Sequence, residues 1–539
     1  MFLDFATAWE EVADCVPERD ALVQGERRLT YREFDDAAAR FAAAIEAAGV
    51  LEDAKVALYL YNCPEYLIAQ HGAFKHRAVA VNVNYRYLDD ELAYLVENSD
   101  SEVLVFHSSL SECVRRVRDR LDRVRLWVEV DDGGEHLEGA WRFDDLLGAH
   151  QPQARKVRDG NDVYMLYTGG TTGMPKGVMF PQGEFTERLL LGALALGVIQ
   201  IMPRERGDIR ELIDQVSAAG AQVSVPCCPL MHGTGMWIGA MPALISGGTV
   251  VMLEERTFDA DEVWRLTERE GVSRIAIVGD PFARPLLRAL ERREADGHPV
   301  DVSSVRHIIS SGAIWSAEVK DGLRSRMTAD LVDSLGSTEG LGFGASGANA
   351  ESGAATAHFL LSPDTKVVTD DGREVVAGSG EAGMLASRTA AYGYYKDPDK
   401  TARTFVRLDG QGYVLTGDWA TVDADGTITL LGRGSMSINT GGEKVFAEEV
   451  EEAIKRHPLV EDCLVVGVPD ERFGQRIVAV VGASSAPTYD ELCAFLRPTL
   501  AHYKIPKAVV VRPQVRRAPN GKADYPWARE AALEADRAS

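Results

Sequence analysis

The sequence predicts an α/β protein: a large N-terminal domain of mixed sheets flanked by helices with an antiparallel subdomain, then a small mobile α+β domain. Three observations lead there. Short β-branched runs recur between helical stretches from Val56 to Ile309, the pattern of mostly parallel sheets covered on both faces. Between residues 387 and 431 the texture changes to short strands with Asp-Gly turns (Asp409-Gly410, Asp425-Gly426), which is typical of antiparallel sheet. Beyond Arg433 the small residues Gly434-Ser435-Met436-Ser437 precede a segment with its own helix and strand order. The expected division is a large domain over 1–433, a hinge at 434–436 and a small domain over 437–539, and 539 residues allow a core in each.

The elements follow in order. Residues 37–48 form an alanine-rich helix, ended by Gly49 in the position that favours a left-handed stop. Residues 56–61 and 103–106 read as buried strands, and 162–166 as another. Residues 189–202 are the most apolar stretch, but they fall short of the roughly 20 residues a bilayer span needs. Gly192, Gly197 and Gln200 interrupt them, so a buried helix or pocket wall is expected. Strands over 223–225, 249–253, 274–278 and 306–309 alternate with helices over 260–270 and 283–292. The small domain reads as a helix (448–457), two strands (463–468, 477–481), a helix (489–496) and a last strand (508–512).

The formal net charge of −24 argues against nucleic acid or an anionic membrane as partner, because phosphate backbones are met by clustered Lys and Arg. One pocket can still be basic. Seven cysteines, with no CxxC spacing and with Cys227 beside Cys228, suggest reduced thiols. Met1-Phe2-Leu3-Asp4-Phe5 has an early acid and no basic stretch, unlike a secretory signal. A cytoplasmic protein without a membrane span is expected.

The chemistry starts at Tyr167-Thr168-Gly169-Gly170-Thr171-Thr172-Gly173-Met174-Pro175-Lys176-Gly177, directly after a strand. Glycines let backbone N–H groups approach a polyphosphate, while Thr168, Thr171 and Thr172 offer hydroxyls and Lys176 a cation. The alternative is an ordinary Gly-rich turn. It is not a Walker loop, since Lys176 is followed by Gly177. Asp333-Ser334-Leu335-Gly336-Ser337-Thr338-Glu339 ends in a hydroxyl beside a carboxylate, which suits Mg²⁺–nucleotide binding or, equally, a helix N-cap. Thr416-Gly417-Asp418 reads as a tight turn presenting a carboxylate to a ribose diol, or as a plain Asx turn. Arg433 precedes the hinge, and Gly441-Gly442 form a second glycine loop after it. Lys522, after Pro519-Asn520-Gly521, is either a working lysine or solvated surface.

In this order and spacing the clusters resemble the adenylate-forming superfamily of acyl-CoA synthetases, peptide-synthetase adenylation domains and luciferases. The resemblance runs from Leu29-Thr30-Tyr31-Arg32-Glu33-Phe34 to Lys522. Gly432-Arg433-Gly434-Ser435-Met436-Ser437-Ile438-Asn439, Gly393-Tyr394-Tyr395-Lys396-Asp397 and Tyr503-Lys504-Ile505-Pro506-Lys507 look like actinobacterial acyl-CoA ligases, especially the steroid side-chain branch. The resemblance implies an ATP-dependent acid–CoA ligase that works through an acyl-adenylate and uses ATP, Mg²⁺ and CoA. Residues 168–176 would hold the phosphates, and Gly312, Ala313 and 333–336 would flank adenine and the acid. Thr338 would touch phosphate, Glu339 would hold Mg²⁺, and Asp418 would bind ribose with Arg433 nearby. Lys522 would reach the carboxylate and α-phosphate, then leave as the small domain rotates; Gly441 and Gly442 would then line the pantetheine tunnel. His232, in Pro229-Leu230-Met231-His232-Gly233, matches an acyl-pocket position, or is a structural histidine.

Two departures bear on the CoA step: Met436 stands where the hinge often carries Asp or Lys, and Phe446-Ala447 replaces the usual Tyr-Pro. An adenylating enzyme with another acceptor, such as a diazotase joining nitrite to an aryl amine, is therefore the alternative. Steroidal, aromatic and aliphatic acids fit the pocket-wall segments 189–196, 228–236 and 312–315 equally. The partners implied are the acid and CoA, with at most a second copy of the chain.

Overall fold

A computed structural model of the chain separates into two compact units: Met1–Ser311 with Glu318–Gly342 and Thr389–Phe405, and Gly312–Ala317 with Phe343–Arg388 and Val406–Ser539. It describes residues 3–538 apart from 169–173, 196–198, 200, 314, 347–357, 370, 409, 435–436, 441–442, 471–473, 484–486 and 519–520.

The first unit is built on parallel sheet. One sheet runs in the order Asp330–Ser337, His307–Ser311, Arg274–Ile277, Val223–Pro226, Thr249–Met252, Asp20–Gln24 and Arg27–Thr30, parallel throughout except for the last pair. A second, wholly parallel sheet orders Val79–Asn82, Lys55–Tyr59, Ser101–His107, Leu126–Val130 and Trp141–Arg142. The third is antiparallel: Val163–Thr168 pairs with Lys176–Pro181, which pairs with Gly393–Tyr394. The near-continuous apolar strands are the sequence signature of sheet buried on both faces.

Helices Phe5–Cys15, Tyr31–Ala47 and Pro64–His76 cover these sheets. The Phe5 ring lies between 5.4 and 5.9 Å, centroid to centroid, from Phe74, Tyr164, Trp9 and Phe185. The three helices also share a buried ionic cluster. Lys75 Nζ lies 2.9 Å from Glu10 and 2.8 Å from Asp35, Arg158 is 3.2 Å from Glu10, and His71 Nε2 is 3.1 Å from Asp35. Burying single charges there would be costly; pairing every one makes it tolerable.

The second unit holds two sheets. His358–Leu361, Thr427–Arg433, Gln411–Val422, Ala382–Arg388 and Thr365–Val368 form consecutive antiparallel pairs. Glu443–Phe446, Ser437–Thr440, Gly474–Gly482 and Asp462–Asp470 make the other, with Ala508–Arg512 parallel to Gly474–Gly482. Helices Ala447–Lys455, Tyr489–Leu496 and Tyr525–Ala538 accompany it.

The α/β class, the parallel-to-antiparallel change and the α+β tail are as expected. Within the apolar stretch at 189–202, the helix Gln182–Ala195 buries Leu189, Leu190 and Ala193 as expected, while Leu191 is nearly half exposed. Among the described residues no helix is long and apolar enough to cross a membrane. None of the seven cysteines is paired in a disulfide.

Candidate active site

In the first unit the Gly-rich segment joins the two strands of a hairpin. Thr168 ends one strand opposite Lys176, which begins the next. Gly169, Gly170, Thr171, Thr172 and Gly173 lie outside the described residues. Lys176 is half-buried and pairs with the carboxylate of Asp397. Burial, then the like charges of Lys400 and Arg403, hold its pKa below the ordinary lysine value. Several cations thus gather around one acid, an arrangement suited to a more highly charged anion.

In the Asp333–Glu339 cluster one of the two alternatives left by the sequence falls away. Asp330–Ser337 is a strand, and Thr338 and Glu339 lie in the turn after it, so the segment is no helix N-cap. Asp333 is buried with Lys320 Nζ at 3.4 Å. Ser334, Leu335, Gly336, Ser337 and Thr338 are half-buried along the strand end. Ser337 Oγ accepts the Glu339 amide at 3.2 Å, and Tyr394 Oη donates to Glu339 Oε1 at 2.8 Å. The Glu339 carbonyl accepts from Thr389 Oγ1 at 2.8 Å.

His232, half-buried, lies in the segment after Val223–Pro226. Its amide donates to the Pro229 carbonyl at 3.1 Å, and its carbonyl accepts from Met236 at 3.0 Å. The π-helix Thr234–Ala240 follows, an element enriched at functional sites. Thr338, Glu339 and His232 therefore all leave carboxyl ends of strands in one sheet, where ligands bind in open α/β folds.

In the second unit Gly312 adopts φ +95° and Ala313 follows it. Asp418, predicted in a tight turn, instead lies within the long strand Gln411–Val422. Gly417, at φ +80°, makes an irregularity there, and the Asp418 amide donates to Thr416 Oγ1 at 3.1 Å. A glycine's freedom at positive φ lets the strand bulge and continue where the sequence suggested it turned. Asp418 is buried and stands directly opposite Arg433 in the antiparallel register. Thr440 faces Glu443 across a hairpin whose Gly441 and Gly442 lie outside the described residues. Of the expected hinge, 435 and 436 also lie outside them. Lys522 is exposed, and its carbonyl accepts from the Ala518 amide at 2.8 Å.

The first unit adds two residues the sequence reading did not single out as functional. Tyr394 and Asp397 belong to one short segment: Tyr394 holds Glu339, Asp397 holds Lys176, and the segment pairs with the strand beginning at Lys176. A glycine-tyrosine pair followed by an acid three residues later was the available signal. Among the described residues no three His, Cys, Asp or Glu side chains converge on a metal position. Glu339 alone fits a Mg²⁺ that takes its remaining ligands from phosphates and water, as this ion commonly does.

Comparisons with known proteins give the family. Residues 9–395 match the AMP-binding enzyme family and 449–522 its C-terminal domain. A medium/long-chain-fatty-acid–CoA/3-oxocholest-4-en-26-oate–CoA ligase of Mycolicibacterium smegmatis is 40% identical, over 99% of this chain and 97% of that protein. A 3-oxocholest-4-en-26-oate–CoA ligase of Rhodococcus rhodochrous is also 40% identical, over 98% and 96%. The anthranilate CoA ligase AuaEII, solved with anthranoyl-AMP, shares the fold with a TM-score of 0.82 at 22% identity, covering 99% of this chain and 98% of that one. The chain therefore belongs to the AMP-binding enzyme family, as an ATP-dependent, AMP-forming acyl-CoA ligase.

Proposed function

We propose that the acid is a carboxylate at the end of an extended apolar body, a medium- or long-chain fatty acid or a steroid side-chain acid. One observation carries the choice: relatives 40% identical over nearly their whole length are named for such acids. The apolar character of Cys228, Leu230 and Met231, all fully buried beside His232, supports it.

In the first half-reaction a carboxylate oxygen attacks the α-phosphorus of ATP, the bond to pyrophosphate breaks, and acyl-AMP forms. In the second the CoA thiolate attacks the acyl carbon and AMP leaves. Negative charge accumulates on the departing phosphates, and Lys176, with Thr168 and the 169–173 loop, is assigned to them. Thr338 is assigned to phosphate; Gly312, Ala313 and Asp333–Gly336 to adenine and the acid; Asp418 with Arg433 to ribose. Lys522 is assigned to the carboxylate and α-phosphate, His232 to the acyl pocket, and Gly441 and Gly442 to pantetheine. Glu339 would be the protein ligand of Mg²⁺, which when bound would neutralise charge on the phosphates. A small domain over 437–539 that turns about 434–436 lets Lys522 serve only the first step. Seven cysteines, none of them paired, support a cytoplasmic setting.

The test is a panel of fatty, steroidal and aromatic acids, read by pyrophosphate release and then by CoA-dependent AMP release. Preference for fatty or steroidal acids is expected. Turnover confined to aromatic acids would overturn the choice.

A further inference from the structure

We infer that Asn62 and Asn82 form a clamp that positions both the phosphate hairpin and the His232 segment, Asn82 serving both and Asn62 only the latter. Asn82, the last residue of the strand Val79–Asn82, is buried. Its Oδ1 accepts from the Tyr167 amide at 2.6 Å. Its Nδ2 donates to two carbonyls, Tyr167 and Met231, each at 2.8 Å. Tyr167 immediately precedes Thr168, and Met231 immediately precedes His232. Asn62, just beyond the neighbouring strand Lys55–Tyr59, accepts from the Leu230 amide at 2.7 Å and donates to the Cys228 carbonyl at 3.2 Å.

The chemistry needs this residue type. Asn82 must accept from one backbone N–H and donate to two carbonyls, a combination a neutral carboxamide supplies and a carboxylate does not. The backbone groups it satisfies belong to Tyr167, in an edge strand of the third sheet, and to Met231, in a connecting segment, and such buried polar groups need partners. Both asparagines lie at carboxyl ends of strands in the second parallel sheet. They therefore tie that sheet to two segments of the nucleotide and acyl site.

The inference rests on the proposed function, and its test separates the two. Asn82→Asp keeps shape and the bond from Tyr167 while losing both donations. Asn62→Asp loses only the donation to Cys228 and keeps the bond from Leu230. Each variant is measured for acid KM with a medium-chain acid, KM for CoA, and Kd for a non-hydrolysable ATP analogue by calorimetry. Losing such bonds is expected to weaken binding about tenfold. Asn82→Asp should raise acid KM and ATP-analogue Kd together; Asn62→Asp should raise acid KM alone; CoA KM should stay at the wild-type value in both. A merely structural role lowers the active fraction and melting temperature and leaves all three constants unchanged, which would overturn the clamp. So would an Asn62→Asp effect on the ATP analogue, or none on acid KM, and that variant decides the matter even if Asn82→Asp does not fold. If the wild-type enzyme turns over no fatty or steroidal acid, the proposed function fails, while the ATP-analogue titrations still decide the Asn82 arm.

Discussion

Replacing Tyr394 with phenylalanine removes its hydrogen bond to Glu339. The ring is buried, its centroid 5.5 Å from that of Phe405, with Lys400 Nζ 4.5 Å from the ring centre. Phenylalanine keeps that packing and removes only the hydroxyl that donates to Glu339 Oε1 at 2.8 Å. A hydrogen bond to an ionised carboxylate contributes about 1.5–3 kcal/mol. A freed glutamate regains up to about 2 kcal/mol of rotamer entropy, which limits what misplacement can cost. The expected loss is therefore about 1.5 kcal/mol in holding Glu339 ready for Mg²⁺, or roughly tenfold. The assay is pyrophosphate release at saturating ATP and acid, titrated with Mg²⁺. The half-saturating Mg²⁺ concentration should rise about tenfold, with little change in melting temperature. An unchanged Mg²⁺ requirement in a well-folded variant would refute the reasoning, because either Glu339 does not hold the metal or Tyr394 does not place it.

Lys522→Ala should lower acid-dependent pyrophosphate release by about 100-fold, with little effect on melting because the side chain is exposed; a wild-type rate would remove Lys522 from the first step. Gly432→Ala should destabilise the chain by about 1–3 kcal/mol in denaturant unfolding, since its φ is +117° and a Cβ would run into the Glu448 carboxylate. Burial holds the His71 pKa down at about 4, against an ordinary value of 6.5, despite the hydrogen bond with Asp35. Between those values the unfolded chain binds a proton that the folded one refuses, so His71 makes stability fall as pH drops through that window, by up to about 1.4 kcal/mol per unit. Unfolding at pH 6 and pH 5 should show that slope, and His71→Gln should flatten it; equal slopes would contradict the reading.

Much of the fold was legible because parallel strands bury both faces and so appear as unbroken apolar runs. The strand from Asp462 to Asp470 was legible although it is antiparallel, because it too is buried on both faces. Helices with weaker signals escaped. Tyr31–Ala47 begins six residues before the predicted start, although Thr30 and Glu33 form a capping box that the sequence displays. Asp418 was read as a turn residue because Gly417 suggests one, yet strand pairing continues past it with Arg433 opposite. The candidate site divides along similar lines. Glycines, hydroxyls and lysines in dense local clusters can be seen in one dimension. The contacts of Tyr394, Asp397 and Asn82 cannot, because their partners are 55, 221, 85 and 149 residues away in sequence.

The short segment carrying Tyr394 and Asp397 has a thermodynamic consequence. If Lys176 holds phosphate and Glu339 holds Mg²⁺ as proposed, a phosphate that draws Lys176 away from Asp397 would perturb the same few residues that hold Glu339, and nucleotide and metal would act on a shared element. Binding free energies linked in this way are reciprocal. The factor by which Mg²⁺ tightens ATP must equal the factor by which ATP tightens Mg²⁺, and a lesion at Asp397 should shrink both by the same amount.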